Sequence, residues 1–434
     1  MTLAISCWKD FKLKHRYGLV LSLVLLAGGM VAHAAGVCDP RAFGARGDGT
    51  TKDTAAIQRA IDACAAHGGG TVRLTAGTYL SAPIVLKSNI SLELESGATL
   101  LGSRAHADYP PHEEFQEPGK EPLIGAYGAM NVTIRGAGTI DGSGAAWWLK
   151  KDEPEVDGPA PKMIIFDHCR HVVVEGVTIQ NSPGWNLVPF ASSDVTIRNV
   201  KILAPANSPN TDAIDPFSSS NVTIDHVLAD VGDDDVAIKA GEPGVKATYL
   251  PSRNITITDC TFLHGHGLSI GSDVTAGVSN VHAERIHFDG TNNGIRVKSN
   301  RDRGGDVTGL FFRDIDMKHV KTTLNIYEYS GMETRLTQKG PSADEETAQP
   351  VTPLTPHFHG FTFENLTSTE GATAGEIVGL PESHVSGVTL RNVKIEAQHG
   401  LMIRYAEVSG TGFVVESHDG TPINKQADAV VSLH

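Results

Sequence analysis

A short run of β-branched residues recurs along most of the chain, and it usually begins with Asn, Asp or His. Its first apolar residue falls at positions 172, 195, 222, 255, 281 and 307, with spacings of 23, 27, 33, 26 and 26 residues. Periods of this size are typical of solenoids, in which one repeat cannot bury its apolar face alone. The repeats contain short strands without intervening helices, and the consensus of leucine-rich repeats is missing. The sequence therefore predicts an all-β fold, a parallel β-helix with coils about 4.8 Å apart.

Turn residues are abundant. The chain holds 46 Gly and 22 Pro, and only 6% of its residues are aromatic, which favours a turn-rich β protein over a helical one. Asn-x-Ser/Thr triplets begin at positions 89, 131, 221, 254 and 365 and have the form of glycosylation acceptors. Four of them precede or begin a strand at equivalent repeat positions, so we interpret these asparagines as turn residues that open a coil.

The first 34 residues have the pattern of a secretory signal. Basic residues precede an apolar run from Leu19 to Val31, and Ala32-His33-Ala34 offers small residues for cleavage. The run is too short for a membrane helix, so we expect cleavage near Ala34 and a secreted, extracellular or periplasmic protein. Cleavage would change the formal net charge from −14 to −17, which argues against nucleic acid or an anionic membrane as a partner.

Residues 35–434 are predicted to form one catalytic β-helix domain. Asp53-Thr54 signals a helix start, and apolar residues at helical spacing up to Ala66 predict a helix that caps the solenoid. Cys38 and Cys64 lie in this region and are the expected disulfide. The other two cysteines of the mature chain lie in strands and are predicted to be buried thiols. Stretches 104–129 and 330–356 interrupt the repeat and are predicted to be loops that emerge from the wall.

Four short strings in successive repeats carry candidate chemistry. They are Asn210-Thr211-Asp212, Gly232-Asp233-Asp234, Gly265-His266-Gly267 and Arg296-Val297-Lys298. Equivalent positions on stacked coils lie above one another, so the strings should form one outward patch of carboxylates, an imidazole and two cations. Inverting hydrolysis of a glycosidic bond needs two carboxyl groups roughly 6.5–9.5 Å apart, one as acid and one as base. A calcium site is the competing interpretation of the adjacent acids.

Arg296 and Lys298 should point to the same side of a strand because they are two residues apart. If Ile295 and Val297 fill the interior, both cations face outward. Fixed cations beside carboxylates suit the carboxylate of a uronic acid, although a salt-bridged surface pair is the plainer interpretation. The adjacent acids Asp233 to Asp235 are expected to raise one another's proton affinity.

Taken together, the strings resemble the polygalacturonases of glycoside hydrolase family 28. The resemblance begins near Phe43-Gly-Ala-Arg-Gly-Asp-Gly, includes Gly138-Thr-Ile-Asp-Gly142 and continues beyond Lys298. It implies a right-handed parallel β-helix that hydrolyses α-1,4 bonds between galacturonic acids with inversion. It also implies that Asp233 is the general acid, that Asp212 and Asp234 hold and activate water, and that His266 tunes the acid.

The same resemblance assigns substrate binding to a second group of residues. Arg296 and Lys298 would hold the galacturonate carboxylate, and Asn210 would contact the sugar. The family's substrate-binding tyrosine matches both Tyr327 and Tyr329, and the sequence does not choose between them. No cofactor and no metal ion are expected, and a monomer acting on polygalacturonate or pectin is the expected assembly.

Three departures from the family pattern are visible. Asp235 replaces a cysteine found in many relatives, so the site must be braced without that disulfide, and Ala213 and Val297 are mild changes. Pectate lyase and rhamnogalacturonan hydrolase are the enzymatic alternatives, and a β-helical carbohydrate-binding adhesin is the non-enzymatic one. His266 and the Arg-Val-Lys string favour polygalacturonan hydrolysis over the two enzymatic alternatives, and the retention of the full catalytic set argues against the adhesin.

Overall fold

The computed structural model of the protein describes residues 36–115, 117–148, 159–243, 249–329 and 347–434. Over these residues the chain winds into coils, and the strands of each coil pair in parallel with those of the next. The fold is the predicted right-handed parallel β-helix. The predicted signal segment 1–34 and most of the predicted insertion 330–356 lie outside the described residues.

Three walls run along the solenoid, and we call them A, B and C. Wall A begins with eight strands, which are Gly36–Cys38, Gly70–Leu74, Ile90–Leu94, Met130–Gly136, Arg170–Glu175, Ser193–Arg198, Ser220–Asp225 and Ser252–Thr258. Wall B begins with Asp48–Lys52, Gly77–Ser81, Ala98–Gly102, Thr139–Asp141, Thr178–Gln180, Lys201–Leu203, Leu228–Val231 and Thr261–His264. Longer strands then continue walls A and B together; they are Val278–Asp289, Asp306–Lys318, His357–Val378, Val385–Arg404 and Ala406–Lys425. Val430–Leu433 closes wall A.

Wall C carries the candidate site. Its strands are Ile84–Leu86, Ile124–Tyr127, Ile164–Asp167, Leu187–Phe190, Val236–Ile238, Leu268–Ile270, Asn293–Lys298 and Thr322–Tyr327. Single bridges through Ile214 and Phe217 join Leu187–Phe190 to Val236–Ile238. The ends of the last long strands extend this wall towards the C-terminus.

The interior consists of apolar residues stacked in register. Val172, Val195, Val222, Ile255 and Val281 pair from coil to coil, and each is at most 1% exposed. This confirms the periodicity, except at its last member. The residue at 307 pairs with that at 278, and the residue at 310 pairs with Val281. The prediction failed there because the equivalent apolar residue of that coil is Leu310, three residues after Val307 on the same continuous strand, Asp306–Lys318.

The turn asparagines form ladders along the solenoid. Asn131 donates to Asn89, Asn254 donates to Asn221 and Asn280 donates to Asn254, with N···O distances of 2.8–2.9 Å. These asparagines have positive φ angles, a conformation that asparagine adopts more readily than most residues. Their role in the fold confirms the structural interpretation of these triplets.

The capping helix spans Thr54–Ala66, and Asp53 precedes it. Its buried residues recur at helical spacing, and Cys64 among them forms the predicted disulfide with Cys38. Asp53 does not cap the helix with its side chain. Its carboxylate instead accepts hydrogen bonds from the N–H groups of Arg46 and Gly47 at 2.7 and 2.9 Å. The other two cysteines, at 169 and 260, are buried and free. Within the described ranges no helix is both long and apolar enough to cross a membrane.

The stretch 104–129 is more ordered than the predicted loop. It contains a short 3-10 helix, His106–Asp108, and an antiparallel hairpin of strands Pro111–Glu114 and Glu117–Lys120. The strand Ile124–Tyr127 already belongs to wall C. The insertion thus ends before residue 124, because the apolar residues after it return to the wall.

We expect Ile255→Ala to lower the free energy of unfolding by about 2–5 kcal/mol, because it leaves a cavity in a fully buried stack. The outward-facing neighbour Thr256→Ala is the matched control and should change stability by about 0.5 kcal/mol or less. Urea unfolding followed by circular dichroism measures both. Equal midpoints for the two variants would contradict the stacked interior.

Candidate active site

Register on wall C brings the four strings together. Ile214 pairs with Val236, Val236 with Leu268 and Leu268 with Ile295, so these residues stack on consecutive coils. Asp212, Asp234 and His266 each lie two residues before a member of this stack. The first three strings therefore lie at equivalent places where the chain enters wall C, and Arg296 and Lys298 lie on its next strand.

Both cations face outward, as predicted, because Ile295 and Val297 are fully buried in the core. Arg296 forms an ion pair with Asp234 Oδ1 through Nη2, and its Nε donates to Ser269 Oγ at 2.9 Å. Ser269 Oγ in turn donates to Asp234 Oδ1 at 2.7 Å. Lys298 Nζ lies 3.8 Å from Asp234 Oδ2.

Asp233 and His266 form the more open half of the site. The distance between His266 Nδ1 and Asp233 Oδ1 is 2.9 Å, and both side chains are about one quarter exposed. Two hydrogen bonds from backbone N–H groups fix this pair. The N–H of His266 donates to the backbone carbonyl of Asp233, and the N–H of Asp234 donates to the Asp233 carboxylate. The contact with Asp233 raises the pKa of His266 above its usual 6.5, against the effect of burial.

The buried acids have opposite electrostatic environments. Burial favours a neutral Asp234, but Arg296 and Lys298 outweigh it and hold the pKa of this carboxyl well below its usual range. Burial, together with the charges of Asp215 and Asp233, raises the pKa of Asp212 well above 3.8. The expectation that the adjacent acids raise one another's proton affinity is thus wrong for Asp234. The positive charges of Arg296 and Lys298 lower its pKa by more than its other surroundings raise it.

Asp235 braces the site from inside the wall. Its side chain is fully buried, and Oδ2 accepts a hydrogen bond from the N–H of Gly267 at 3.0 Å. Gly265 and Gly267, on either side of His266, have φ angles of +62° and +79°, which favour glycine. The carboxylate thereby fixes the turn that presents His266. This contact ties together two coils of wall C.

Two further charged residues lie behind Asp212. Lys239 is 6% exposed, and its Nζ lies 3.8 Å from Asp215 Oδ1 and 4.0 Å from Asp273 Oδ2. Burial favours a neutral Lys239, but the surrounding carboxylates raise its pKa. Burial raises the pKa of Asp215 to about 8, although Lys239 opposes it. A buried lysine therefore lies beside Asp215, an acid that burial shifts towards its neutral form.

The remaining predicted site residues are more peripheral. Asn210 is exposed in the turn before Asp212. Tyr327 pairs in register with Lys298, so its side chain lies in the outward row of that cation. Tyr329 packs in a cluster with Val378, Leu380 and Tyr327, and the Arg301 guanidinium lies 5.9 Å from its ring centre.

Comparison with known proteins places the chain in a family. The model of the glycosyl hydrolases family 28 matches residues 64–411. The chain belongs to this family. A probable polygalacturonase of Vitis vinifera is 29% identical over 84% of the chain and 74% of the relative. An endo-polygalacturonase of Pectobacterium parmentieri is 30% identical over 82% of the chain and 87% of the relative.

A solved crystal structure is also similar to this chain. The hyperthermoactive exopolygalacturonase from Thermotoga maritima superimposes with a TM-score of 0.75 at 28% identity, over 90% of the chain and 92% of that structure. Proteins named as endo-acting and as exo-acting polygalacturonases thus both occur among those that resemble this chain.

Three residues near the acids of this family 28 protein were not predicted from its sequence: Asp215, Lys239 and Ser269. A signal for Lys239 was present, because Val236-Ala-Ile-Lys239 repeats the pattern of Ile295-Arg-Val-Lys298. Asp215 lies three residues after Asp212, and such a spacing does not show whether the side chain reaches the site. Ser269 carries no sequence signal, because only the register places it between Asp234 and Arg296.

We expect the His266 imidazole to titrate above pH 6.5 in this family 28 protein and nearer 6.5 in Asp233→Asn. The folded pKa exceeds the unfolded value, so the ion pair stabilises the fold fully below about pH 6.5 and stops doing so as pH rises through the folded pKa. Proton NMR of the imidazole signals measures the titration. An unchanged pKa in Asp233→Asn would contradict the pairing.

Proposed function

We propose that this family 28 protein is a glycosidase that hydrolyses the α-1,4 bonds between galacturonic acid units of polygalacturonan, with inversion at the anomeric carbon. One observation carries the proposal: two adjacent acids have different environments. Asp233 is the more open of the two, whereas Asp234 is buried and ionised. The relatives named as polygalacturonases support the substrate, and the two cations beside the acids suit a uronate.

In the proposed reaction Asp233 donates a proton to the glycosidic oxygen while the bond between that oxygen and the anomeric carbon breaks. A water molecule attacks the anomeric carbon from the opposite face, and a carboxylate takes up its proton. Asp234 suits this role because it stays ionised, whereas Asp212, with its raised pKa, orients the water through hydrogen bonds. His266 Nδ1 contacts Asp233 Oδ1 at 2.9 Å and supports it in the role of the acid.

The cations divide the task of binding the sugar. Arg296 is 6% exposed and mainly holds Asp234 in its ionised form. The Lys298 side chain is 20% exposed, so it is the better placed of the two to reach a galacturonate carboxylate. Tyr327 shares the row of Lys298 and is the tyrosine that we assign to substrate contact, with Asn210 at the edge of the site.

Two further parts of the proposal concern the whole protein. Residues 1–34 direct secretion and are removed near Ala34, and residues 35–434 form one catalytic domain that works as a monomer without a cofactor. The protein thus acts on polygalacturonan outside the cytoplasm, as an acidic, secreted hydrolase.

We also propose that the enzyme attacks chain ends. Phe115 at the tip of the hairpin packs on Trp185, Phe190 and Phe217, with ring centres 4.9–5.7 Å apart, and Tyr249 donates to its carbonyl at 2.9 Å. Phe217 pairs with Lys239 on the next coil of wall C. The hairpin thus covers the outward face of wall C directly beside the acids and would stop a polymer from extending in that direction.

We expect Asp233→Asn to lower kcat on polygalacturonate by about 10²- to 10⁴-fold, because the amide has no acidic proton to donate. Oligogalacturonate affinity and the circular dichroism spectrum should stay close to wild type. Asp230→Asn is the matched control, since Asp230 also pairs with a histidine, His264, at 2.7 Å but lies on wall B. Full activity in Asp233→Asn would refute the proposed acid.

We expect the first sugar released to be the β-anomer, because inversion converts the α bond into a β product. Proton NMR of the reducing end during the first minutes separates the two anomers. An initial α-anomer would contradict inversion, and an unsaturated product absorbing in the ultraviolet would indicate a lyase.

We expect short products alone, monomer or dimer, from the earliest time points of polygalacturonate digestion. Phe115→Ala should loosen the hairpin and add products of intermediate length, whereas Glu113→Gln, an exposed change on the same hairpin, should not. Chromatography of the products over time measures both. A ladder of sizes from the wild type would show internal cleavage.

A further inference from the structure

A cluster of two histidines and an aspartate lies on the outer face of wall A, apart from the candidate active site. Its members are Asp306, His357 and His359, at the starts of strands Asp306–Lys318 and His357–Val378. The proposed hydrolysis uses none of them. Their side chains are 63%, 57% and 35% exposed, so an ion can reach them without any opening of the fold.

The β-sheet sets the geometry of this cluster. His357 and His359 are two residues apart on one strand, so both rings lie on the same face. Asp306 pairs in register with His357 on the neighbouring strand, and Thr308 pairs with His359. His357 Nδ1 and His359 Nε2 lie 3.1 and 3.0 Å from the same oxygen, Oδ1 of Asp306.

We propose that Asp306, His357 and His359 bind one divalent first-row transition-metal ion of the zinc type. Imidazole and carboxylate ligands bind such an ion at about 2.0–2.2 Å, so ligand atoms in a tetrahedron lie about 3.3 Å apart. All the ligand atoms lie within 4.8 Å of one another, and two of the three separations are already within about 0.3 Å of a tetrahedral edge. Water completes the coordination.

The contact between His359 and Thr308 is of the kind that metal-binding histidines make. His359 Nδ1 lies 3.1 Å from Thr308 Oγ1, so the ring can donate its N–H there while Nε2 points at the ion. A ligating histidine nearly always donates its other ring nitrogen in this way, which fixes the tautomer and the ring orientation. His359 would bind through Nε2, and His357 through Nδ1.

Two other clusters of the described residues fit such an ion less well. Asp225, His226 and Asp259 offer one imidazole and two carboxylates. Asp233, Asp234 and His266 lie beside Arg296 and Lys298, whose charges repel a cation. The cluster at Asp306 is the one with two imidazoles, the ligands that suit zinc, nickel and copper.

Binding there would connect two neighbouring coils. Asp306 and His357 are 51 positions apart along the chain, across a stretch that includes the whole predicted insertion 330–356. An ion that bridges them binds the folded chain and not the unfolded one, so it raises the melting temperature as its concentration rises. The metal site stabilises the fold and is independent of the proposed hydrolysis.

The test is calorimetric titration of the full mature chain, stripped of metal with chelator, with Zn²⁺ at pH 7.5. We expect one equivalent to bind and the melting temperature to rise. His357→Gln and His359→Gln should each weaken binding at least tenfold, and Thr308→Val should weaken it by about tenfold through the lost ring contact. Co²⁺ should give the visible absorption of a tetrahedral site in the wild type and lose it in His357→Gln and His359→Gln.

His418→Gln is the matched control. His418 is 60% exposed and lies 3.2 Å from a single carboxylate, Glu396, so its loss should leave zinc binding unchanged. Circular dichroism verifies that every variant is folded. Absence of a saturable one-to-one site in the wild type would overturn the proposal, and so would equal affinity in wild type, His357→Gln and His359→Gln.

Discussion

In-register parallel pairing along wall C is the constraint on which the rest of the structure depends. A strand of three or four residues contributes little by itself, but each one fixes the height and the facing of the next. Ile214, Val236, Leu268 and Ile295 form one buried stack, and the functional side chains project beside it. A shift of one residue in any coil would turn its charged residues into the apolar interior.

The balance of charges among the side chains that project beside this apolar stack then defines the chemistry. Asp234 tolerates burial as an anion because Arg296, Lys298 and Ser269 surround it. Breaking such a pair by removing one partner is strongly destabilising, since the other charge stays buried. Asp233 lies on the more open side, beside His266. One adjacent pair of aspartates thereby has two different environments, which an acid and a base require.

Glycine and carboxylate positions give the site its rigidity. Gly267 allows no side chain, because a Cβ there would lie 2.0 Å from the carbonyl oxygen of Asn293 on the next coil. Asp235 holds the same turn from inside. The hairpin is not part of the repeat. It belongs to an insertion in an earlier coil, and its Phe115 packs on Phe190 and Phe217 of wall C. The scaffold is thus repetitive, while access to the site depends on a non-repetitive segment.

Sequence alone determined the features that depend on local pattern. The stacked valines, the capping helix, the Cys38–Cys64 bond and the outward direction of Arg296 and Lys298 all derive from period, spacing or compartment. Only the tertiary structure decided the partners of Asp53, the register at residue 307, the inward role of Asp235, and the approach of Lys239 and Ser269 to the acids. The physical reason is that periodicity fixes which face a side chain takes, whereas the height of one coil against the next depends on every turn between them.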